Sequence, residues 1–493
     1  MEGRRVPDVL PRLAGVRLAA LAAEIAGARI VGDAAVEVGS LAYDSRKVGP
    51  GTLYFCVPGE KVDGHEFGAA AVEAGAVGLV VERELDVDAP QLMVPDARAA
   101  MAPVAARFFG DPTRELRVVG VTGTNGKTTS AFLIREILEA AGVRCGLLGT
   151  VRQVVGGVEE KVERTTPEAI DLQGTFRRML EAGDRVCAME VSSHALALHR
   201  CDAIHFEVAL FTNLTQDHLD FHGGMEEYYA AKRLLFEMEP GTAIVNVDDP
   251  YGRRLAGEFE CTTFSAAGAE ADFRATAVSF DASGAEFAVA GTAVRTRLPG
   301  EFNVANALGA IAAGAALGVP VGVAAEGLAR AERVPGRFEP IDEGQPFAVL
   351  VDYAHTPDSL ENALRAARQL TERRLIAVFG AGGDRDRDKR PKMGRAGAAL
   401  ADLSVITSDN PRSEDPDAII AEIVVGTEGA PVEVEPDRRA AIAVALSQAR
   451  SGDTVVIAGK GHEQGQEFAG GSKIPFDDRE VAREELRRLV GAA

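Results

Sequence analysis

Residues 116–129 read Leu-Arg-Val-Val-Gly-Val-Thr-Gly-Thr-Asn-Gly-Lys-Thr-Thr. An apolar run at 116–121 leads into Gly123, Thr124, Asn125, Gly126, Lys127, Thr128 and Thr129, and an amphipathic stretch follows at 130–141. That order predicts strand, glycine loop and helix, the arrangement that cradles a nucleoside triphosphate. Backbone N–H groups and the helix N-terminus would face the phosphates, Lys127 would neutralise their charge, and a Thr hydroxyl can ligate Mg2+. A plain glycine-rich turn is the bland alternative, and Gly-Lys-Thr in this setting argues against it. The spacing also departs from an ordinary P-loop. The eight-residue pattern needs glycine at 121, where Val121 stands, and Gly120 comes one residue early. The departure separates this chain from most P-loop switches and points to an ATP-dependent ligase.

The chain has 493 residues, enough for about three domains. Lys and Arg number 53 against 74 Asp and Glu, a formal charge of -21. That balance argues against a nucleic-acid partner, although local basic clusters still admit small anions. Five scattered cysteines, none in Cys-x-x-Cys spacing, suit a reducing cytoplasm rather than a disulfide framework or zinc site. Arg4 and Arg5 are not followed by a long apolar core, so no signal peptide is expected. No apolar stretch is long enough for membrane insertion.

Three blocks follow from the punctuation. Asp111-Pro112-Thr113 ends the first, giving 1–115. From Leu116 the pattern is that of a doubly wound α/β fold, and Val334-Pro335-Gly336-Arg337 closes this block, giving 116–337. The third, 338–493, runs an apolar strand into a polar loop four times, at 347–352, 375–379, 403–407 and 454–458. Active sites of open α/β sheets gather at such carboxyl ends.

Several side chains stand out on chemical grounds. Glu190 interrupts the apolar strand expected at 185–191. A carboxylate there is costly unless paired or metal-bound, and Mg2+ is the natural partner beside a P-loop. His218 follows the strand expected at 208–211; it could bind metal, but a lone His is more often structural. Lys232 shares the apolar stripe of a helix at 225–238 with Tyr228, Tyr229, Leu235 and Phe236, while Arg233 points away. Burial would favour the neutral amine, which can form a carbamate suited to Mg2+. On spacing alone, a snorkelling lysine is the preferred reading. Thr166 could cap a helix starting at Pro167 with Glu168 in its first turn, offering donors to an anion. A simple helix start explains that stretch equally well. Gly380-Ala381-Gly382-Gly383 lacks dinucleotide spacing and an acidic ribose partner, so NAD is rejected.

Further motifs carry a resemblance: Asp44-Ser45-Arg46, the nucleotide loop, Thr165-Thr166-Pro167-Glu168, Glu190-Val191-Ser192-Ser193-His194 and residues 213–218. They continue through the Lys232 helix, Phe302-Asn303-Val304-Ala305-Asn306 and Pro335-Gly336-Arg337-Phe338-Glu339. The last block adds Asp352-Tyr353-Ala354-His355-Thr356-Pro357, Asp409-Asn410-Pro411-Arg412 and Gly459-Lys460-Gly461-His462-Glu463. In this order, over nearly the whole chain, they resemble the Mur ligases, most closely the diaminopimelate-adding MurE type. The resemblance implies an α/β, three-domain architecture: an N-terminal UDP-sugar domain, a central P-loop ATP-binding domain and a Rossmann-like C-terminal domain. It implies ATP and Mg2+ as cofactors, UDP-MurNAc-L-Ala-D-Glu and meso-diaminopimelate as substrates, and a cytoplasmic monomer in peptidoglycan precursor synthesis.

The resemblance also implies roles. The loop from Gly123 to Thr129 would hold ATP with Asn303, Asn306, Arg337 and Asp352. Thr128, Glu190, His218 and a carbamylated Lys232 would bind metal, which reverses the preference for a snorkelling lysine. Ser45, Glu60, Lys61 and Val62 would contact the UDP-sugar, and Thr165, Thr166, Ser192 and Arg200 the muramoyl dipeptide. Relatives often have Asn where this chain has Arg164, and can have Gln where it has Leu198. Arg390, Asp409, Asn410, Pro411, Arg412, Gly459 and Glu463 would bind diaminopimelate. Arg412 has a physical rationale: the second amino-acid end of diaminopimelate carries a carboxylate that a guanidinium grips with two charged hydrogen bonds. Lysine lacks that carboxylate and would leave a buried charge unpaired, at roughly 3–5 kcal/mol. Asp409 and Glu463 can take the distal ammonium. In the charged loop at 384–392, Arg385 and Arg387 read as solvated. Three rivals remain in view: a lysine-adding ligase, a folylpolyglutamate synthase sharing the odd loop, and a P-loop switch answering to a protein partner.

Overall fold

The computed structural model describes residues 15–59, 62–162, 164–281 and 283–491, so Glu60 and Lys61 lie outside the described residues. The chain forms two compact units that alternate along the sequence. The first comprises residues 15–122, 142–210 and 231–243; the second comprises 123–141, 211–230 and 244–491.

The first unit carries two larger sheets beside the short antiparallel pair Val16–Arg17 with Glu37–Val38. In one, the strands Ser40–Ala42, Thr52–Phe55, Ala76–Val81 and Gln91–Met93 run parallel, and Arg29–Val31 closes the edge antiparallel. Leu53, Phe55, Val80 and Leu92 point into a core closed by the helix Ala97–Phe108. Asp96 caps that helix by accepting from the N–H groups of Arg98 and Ala99. In the other sheet, Val186–Glu190 lies parallel between Arg117–Thr122 and Cys145–Leu148. The expected strand at 116–121 is therefore present, shifted by one residue. Gly120 has a packing role there: a Cβ would meet the Phe206 ring at 2.6 Å.

In the second unit the helix after the glycine loop spans Lys127–Ala140, three residues earlier than its amphipathic pattern suggests. It packs on Glu301–Ala316 and Val321–Arg330, with Gly314 and Gly327 permitting close approach to Ile137 and Glu136. The third block forms a six-stranded sheet in the order Glu339–Pro340, Ala348–Asp352, Thr454–Ala458, Leu375–Phe379, Leu403–Ile406, Val432–Val434. All neighbours are parallel except the first pair. All four expected strands are present. Thr454–Ala458 inserts between the two earliest parallel strands, creating a switch point where loops 352–355, 380–383 and 459–463 meet. Cores led by Leu360, Leu364 and Met393 on one face and Ile442, Leu446 and Leu486 on the other hold this sheet.

Candidate active site

The nucleotide loop belongs to the second unit and is shaped by backbone. Gly123 has φ +147°, and a Cβ there would lie 1.9 Å from Thr212 Oγ1. Gly126 has φ +86°, and its Cβ would lie 2.3 Å from Asn306 Oδ1. Glycine alone fits both places. Lys127 Nζ donates to the carbonyls of Gly123 and Thr124, each at 2.8 Å, so its ammonium is folded over its own loop. The Asn125 N–H donates to Asn213 Oδ1 at 2.9 Å. Thr124 Oγ1 and Thr129 are buried within the same turn.

Side chains from the third block complete this region. Arg337 Nη2 donates to Thr128 Oγ1 at 3.0 Å, and its guanidinium stacks over Tyr353, 4.5 Å from the ring centroid. Asp352 Oδ2 accepts the Phe338 N–H at 2.7 Å; burial pushes its carboxyl up to about 6 against the pull of Arg337. Asn306 Nδ2 donates to Asn303 Oδ1 at 3.1 Å, and Asn303 Nδ2 donates to the Pro299 carbonyl. Asp358 was missed by the sequence reading. Its Oδ2 accepts from Asn125 Nδ2 at 2.9 Å and Thr215 Oγ1 at 3.2 Å, tying the helix Pro357–Leu370 to the loop. His218 sits in the left-handed region at φ +54°, its Nε2 3.2 Å from Asp217 Oδ2. Burial would raise the Asp217 carboxyl, but His218, His355, Lys389 and Lys127 outweigh it and hold it down at about 2.

In the first unit, Glu190 is 1% exposed. Its Oε1 accepts the Thr150 N–H at 2.6 Å and its Oε2 accepts Thr150 Oγ1 at 3.1 Å. Thr150 Oγ1 lies 3.0 Å from Thr165 Oγ1. Thr166 does not cap a helix at Pro167. The helix is Ala169–Ala182 and Glu168 is its extended N-cap residue. Thr166 Oγ1 instead donates to the Glu190 carbonyl at 2.8 Å and accepts the Ser192 N–H at 3.1 Å. This cross-strand bonding outcompetes the local cap. Ser192 caps the helix Ser193–Ala197, and Arg200 Nη1 donates to the Thr166 carbonyl at 3.1 Å. Thr165, Thr166, Ser192, Arg200 and Glu190 are therefore one cluster. Lys232 is 1% exposed, which removes the snorkelling reading because its head does not reach water. Ser45 opens the short helix Ser45–Lys47, capped by Asp44, and Val62 is exposed.

The expected metal ligands divide between the units, with Glu190 and Lys232 in the first and Thr128 and His218 in the second. Among the described residues no three His, Cys, Asp or Glu side chains cluster as a metal cage. The Glu190 carboxylate in the first unit and the Thr128 hydroxyl in the second are each a hard oxygen donor of the kind Mg2+ takes.

The loops around 380–390, 409–414 and 459–467 are dense with charge. Lys460, fully buried, donates to Asn410 Oδ1 at 2.7 Å and Glu463 Oε2 at 3.0 Å. Asn410 Nδ2 donates to Glu463 Oε2 at 2.9 Å. Arg412, at φ +50°, donates from Nε to Glu467 Oε2 at 3.1 Å and from Nη1 to the Gly383 carbonyl at 2.7 Å. The Pro411 carbonyl lies where a Gly383 Cβ would be, 1.9 Å away. Gly459, at φ +127°, lets Asp409 Oδ2 approach to 2.5 Å of its would-be Cβ. Arg390 is fully buried and held by Glu414 and Glu422 at 2.7–2.9 Å. It anchors these acids; a ligand carboxylate would have to displace one. Lys460 carries no role in the sequence reading; it stands between Gly459 and Gly461, and of its partners Asn410, Asp409 and Glu463 only Glu463 is near in sequence.

Residues 37–109 match the Mur ligase family catalytic domain, 121–314 the Mur ligase middle domain and 336–461 the Mur ligase glutamate ligase domain. The chain is 47% identical over 500 residues to the Streptomyces coelicolor UDP-N-acetylmuramoyl-L-alanyl-D-glutamate–2,6-diaminopimelate ligase, covering 97% of this chain and 98% of the relative. A Syntrophomonas wolfei protein of the same name is 47% identical over 92% of this chain and 96% of its own length. A solved structure of a ligase of that name superposes with a TM-score of 0.67 at 30% identity, over 97% of this chain and 100% of the other.

Proposed function

The chain belongs to the Mur ligase family, and on that footing we propose that it joins meso-diaminopimelate to the D-Glu γ-carboxylate of UDP-MurNAc-L-Ala-D-Glu, coupled to ATP cleavage, in peptidoglycan precursor synthesis. Three segments divided near 115 and 337 are the working boundaries, supported by the three successive family matches.

In this reading a γ-carboxylate oxygen attacks the γ-phosphorus, the bond to the β,γ-bridging oxygen breaks and ADP leaves. The diaminopimelate amine then attacks the acyl carbon, phosphate departs and the amine proton is lost. Lys127 would exchange its two loop carbonyls for phosphate oxygens, and Arg337 would share the same charge. Thr128, Glu190, His218 and carbamylated Lys232 would hold Mg2+, which when bound neutralises and orients phosphate. Thr165, Thr166, Ser192 and Arg200 would position the dipeptide; Ser45 and Val62 would contact the UDP-sugar. Asp409, Asn410, Arg412, Gly459 and Glu463 would receive the amino acid, Arg412 turning from Glu467 to the distal carboxylate. A cytoplasmic setting is supported by five free cysteines. No described helix is long and apolar enough to cross a membrane. A monomer is the simplest assembly.

The observation that carries the choice of amino acid is Arg412 beside Asp409 and Asn410 in a chain 47% identical to diaminopimelate-adding ligases. The decisive experiment is a product assay with UDP-muramoyl dipeptide and ATP, offering diaminopimelate or lysine. Tripeptide with diaminopimelate is expected; equal use of lysine would overturn the specificity, and phosphate release without either amino acid would overturn the ligase.

A further inference from the structure

Glu168 is 4% exposed, and its carboxylate gathers three guanidinium groups from separate segments. Arg200 Nη2 and Arg164 Nη1 lie 2.9 Å and 2.5 Å from the same oxygen, Oε1. Arg98 Nη1, from the first turn of the helix Ala97–Phe108, lies 3.5 Å from Oε2. Asp171, in the first turn of the helix that Glu168 caps, accepts from Tyr43 Oη at 2.7 Å and is a second carboxylate beside the cluster, so three cations face two carboxylates and one positive charge is in surplus, within a chain of formal charge -21. Burial lowers the Arg200 pKa, and Arg164 and Arg98 lower it further by repulsion. Arg200 Nε is also buried without a hydrogen-bond partner among the described residues.

A purely structural role for Glu168 needs one arginine. Three, with mutual repulsion and an orphan donor, are destabilising unless an anion shares them. Guanidinium forks select planar carboxylates through paired hydrogen bonds. Arg200 also touches Thr166, which bonds the Glu190 strand end, so the cluster adjoins the proposed dipeptide site. The proposed acceptor carries two carboxylates on its D-Glu residue. Only the γ-carboxylate is to be activated, so the α-carboxylate must be held apart.

Resting on that reading of the acceptor, we infer that Arg98 and Arg164, positioned by Glu168 and acting with Arg200, form the receptor for the non-reacting α-carboxylate. Arg98 belongs to the block that would bind the UDP-sugar, so this receptor links nucleotide-sugar recognition to peptide orientation. Arg164 supplies a second charged fork beside that of Arg200.

The test compares two acceptors, UDP-muramoyl dipeptide and the same molecule with the α-carboxylate converted to a carboxamide. Binding to the full chain is measured by calorimetry without turnover. Wild type is expected to prefer the carboxylate by about tenfold or more, the scale of a charged hydrogen bond. In Arg164→Gln and in Arg98→Gln that preference should fall below about threefold, through weaker binding of the carboxylate form alone. Arg164→Lys, which keeps charge but not the fork, should fall between. Equal weakening of both acceptors, or an undiminished preference in both glutamine variants, overturns the receptor. Arg164 is half exposed, so its variants should fold, and thermal melts check this. Acceptor preference without tripeptide formation would sink the ligase reading and leave the receptor; tripeptide formation without preference would do the reverse.

Discussion

Gly123 and Gly126 leave no room for a Cβ, whereas the loops at 409–412 and 459–463 are crowded with charged side chains that already hold one another. Both regions belong to the second unit, and under the proposed function they would receive anionic or zwitterionic ligands, yet they are organised differently. In the nucleotide loop the recognising groups are backbone donors fixed by φ, and one lysine covers them. In the loops at 409–412 and 459–463 the groups that would recognise the amino acid are side chains, and Lys460, Glu467, Glu414 and Glu422 brace the loops around them. A backbone site can be altered only by steric intrusion or by removing one of its two cations, Lys127 and Arg337. A side-chain site is altered by releasing a partner. Substitutions should therefore act mostly on turnover in the first and mostly on amino-acid affinity in the second.

The largest effect is expected at Lys127. Lys127→Ala removes the cation that would follow charge onto the transferred phosphoryl group. Acceptor-dependent phosphate release should fall by about 10²–10³-fold in kcat, the usual cost of deleting one stabilising donor. Amino-acid KM should move little. A drop confined to KM for ATP would mean that Lys127 only binds, and the contrast between the regions would weaken.

Next in size is a pH effect at Asp352. Its folded pKa, about 6, lies above the ordinary 3.8 because burial disfavours the charge. A raised carboxyl contributes stability that is complete below pH 4 and is lost as pH rises through 6. A shift of about two units corresponds to about 3 kcal/mol. Asp352→Asn should therefore be more stable than wild type at pH 8 by up to about that amount, with the gap closing by pH 4, as read by denaturant melts. The same variant should bind ATP more weakly. Equal stability at both pH values would show that Arg337 and the Phe338 N–H already compensate the buried charge.

Arg412→Ala tests the other side. Losing one charge-assisted pair costs about 1.5–3 kcal/mol, roughly ten- to a hundredfold in KM for diaminopimelate. KM for ATP should stay within about twofold, and discrimination against lysine should shrink by a similar factor. Gly459→Ala should produce a smaller loss of the same kind, because a Cβ 2.5 Å from Asp409 Oδ2 forces that carboxylate to move. Loss of ATP binding in either variant would show the two regions to be one.

The same contrast explains what the sequence discloses. Glycine at fixed spacing before Lys-Thr reports backbone geometry directly, so the loop and its flanking strand and helix were legible to within three residues. Strand ends followed by polar loops located Asp352, Asp409 and Gly459 for a similar reason. The pairings of the charged loops were not legible. Arg390 lies 24 residues from Glu414 and 32 from Glu422, and no local pattern announces that they meet. Thr166 misled because a hydroxyl before proline is a good helix start; the carbonyl of Glu190, distant in sequence, won it. Arg98 had no local signal at all: only the fold carries it to Glu168.

The smallest effect is expected at Arg385, in the charged loop that also contains Arg390. Its Nη1 donates only to the neighbouring Asp384 carbonyl, at 2.8 Å, at an exposed position. Exposed charges of this kind contribute roughly 0–1 kcal/mol. Arg385→Ala should leave KM for diaminopimelate and melting temperature nearly unchanged. Arg390→Ala, five residues on, would take from Glu414 its paired cation, leave Glu422 with Arg387 alone and lower the melting temperature measurably. If Arg385→Ala instead raised diaminopimelate KM as much as Arg412→Ala, the amino acid would be reached by the exposed arm of the loop. The internal ion pairs would then brace the loop without presenting its ligand groups.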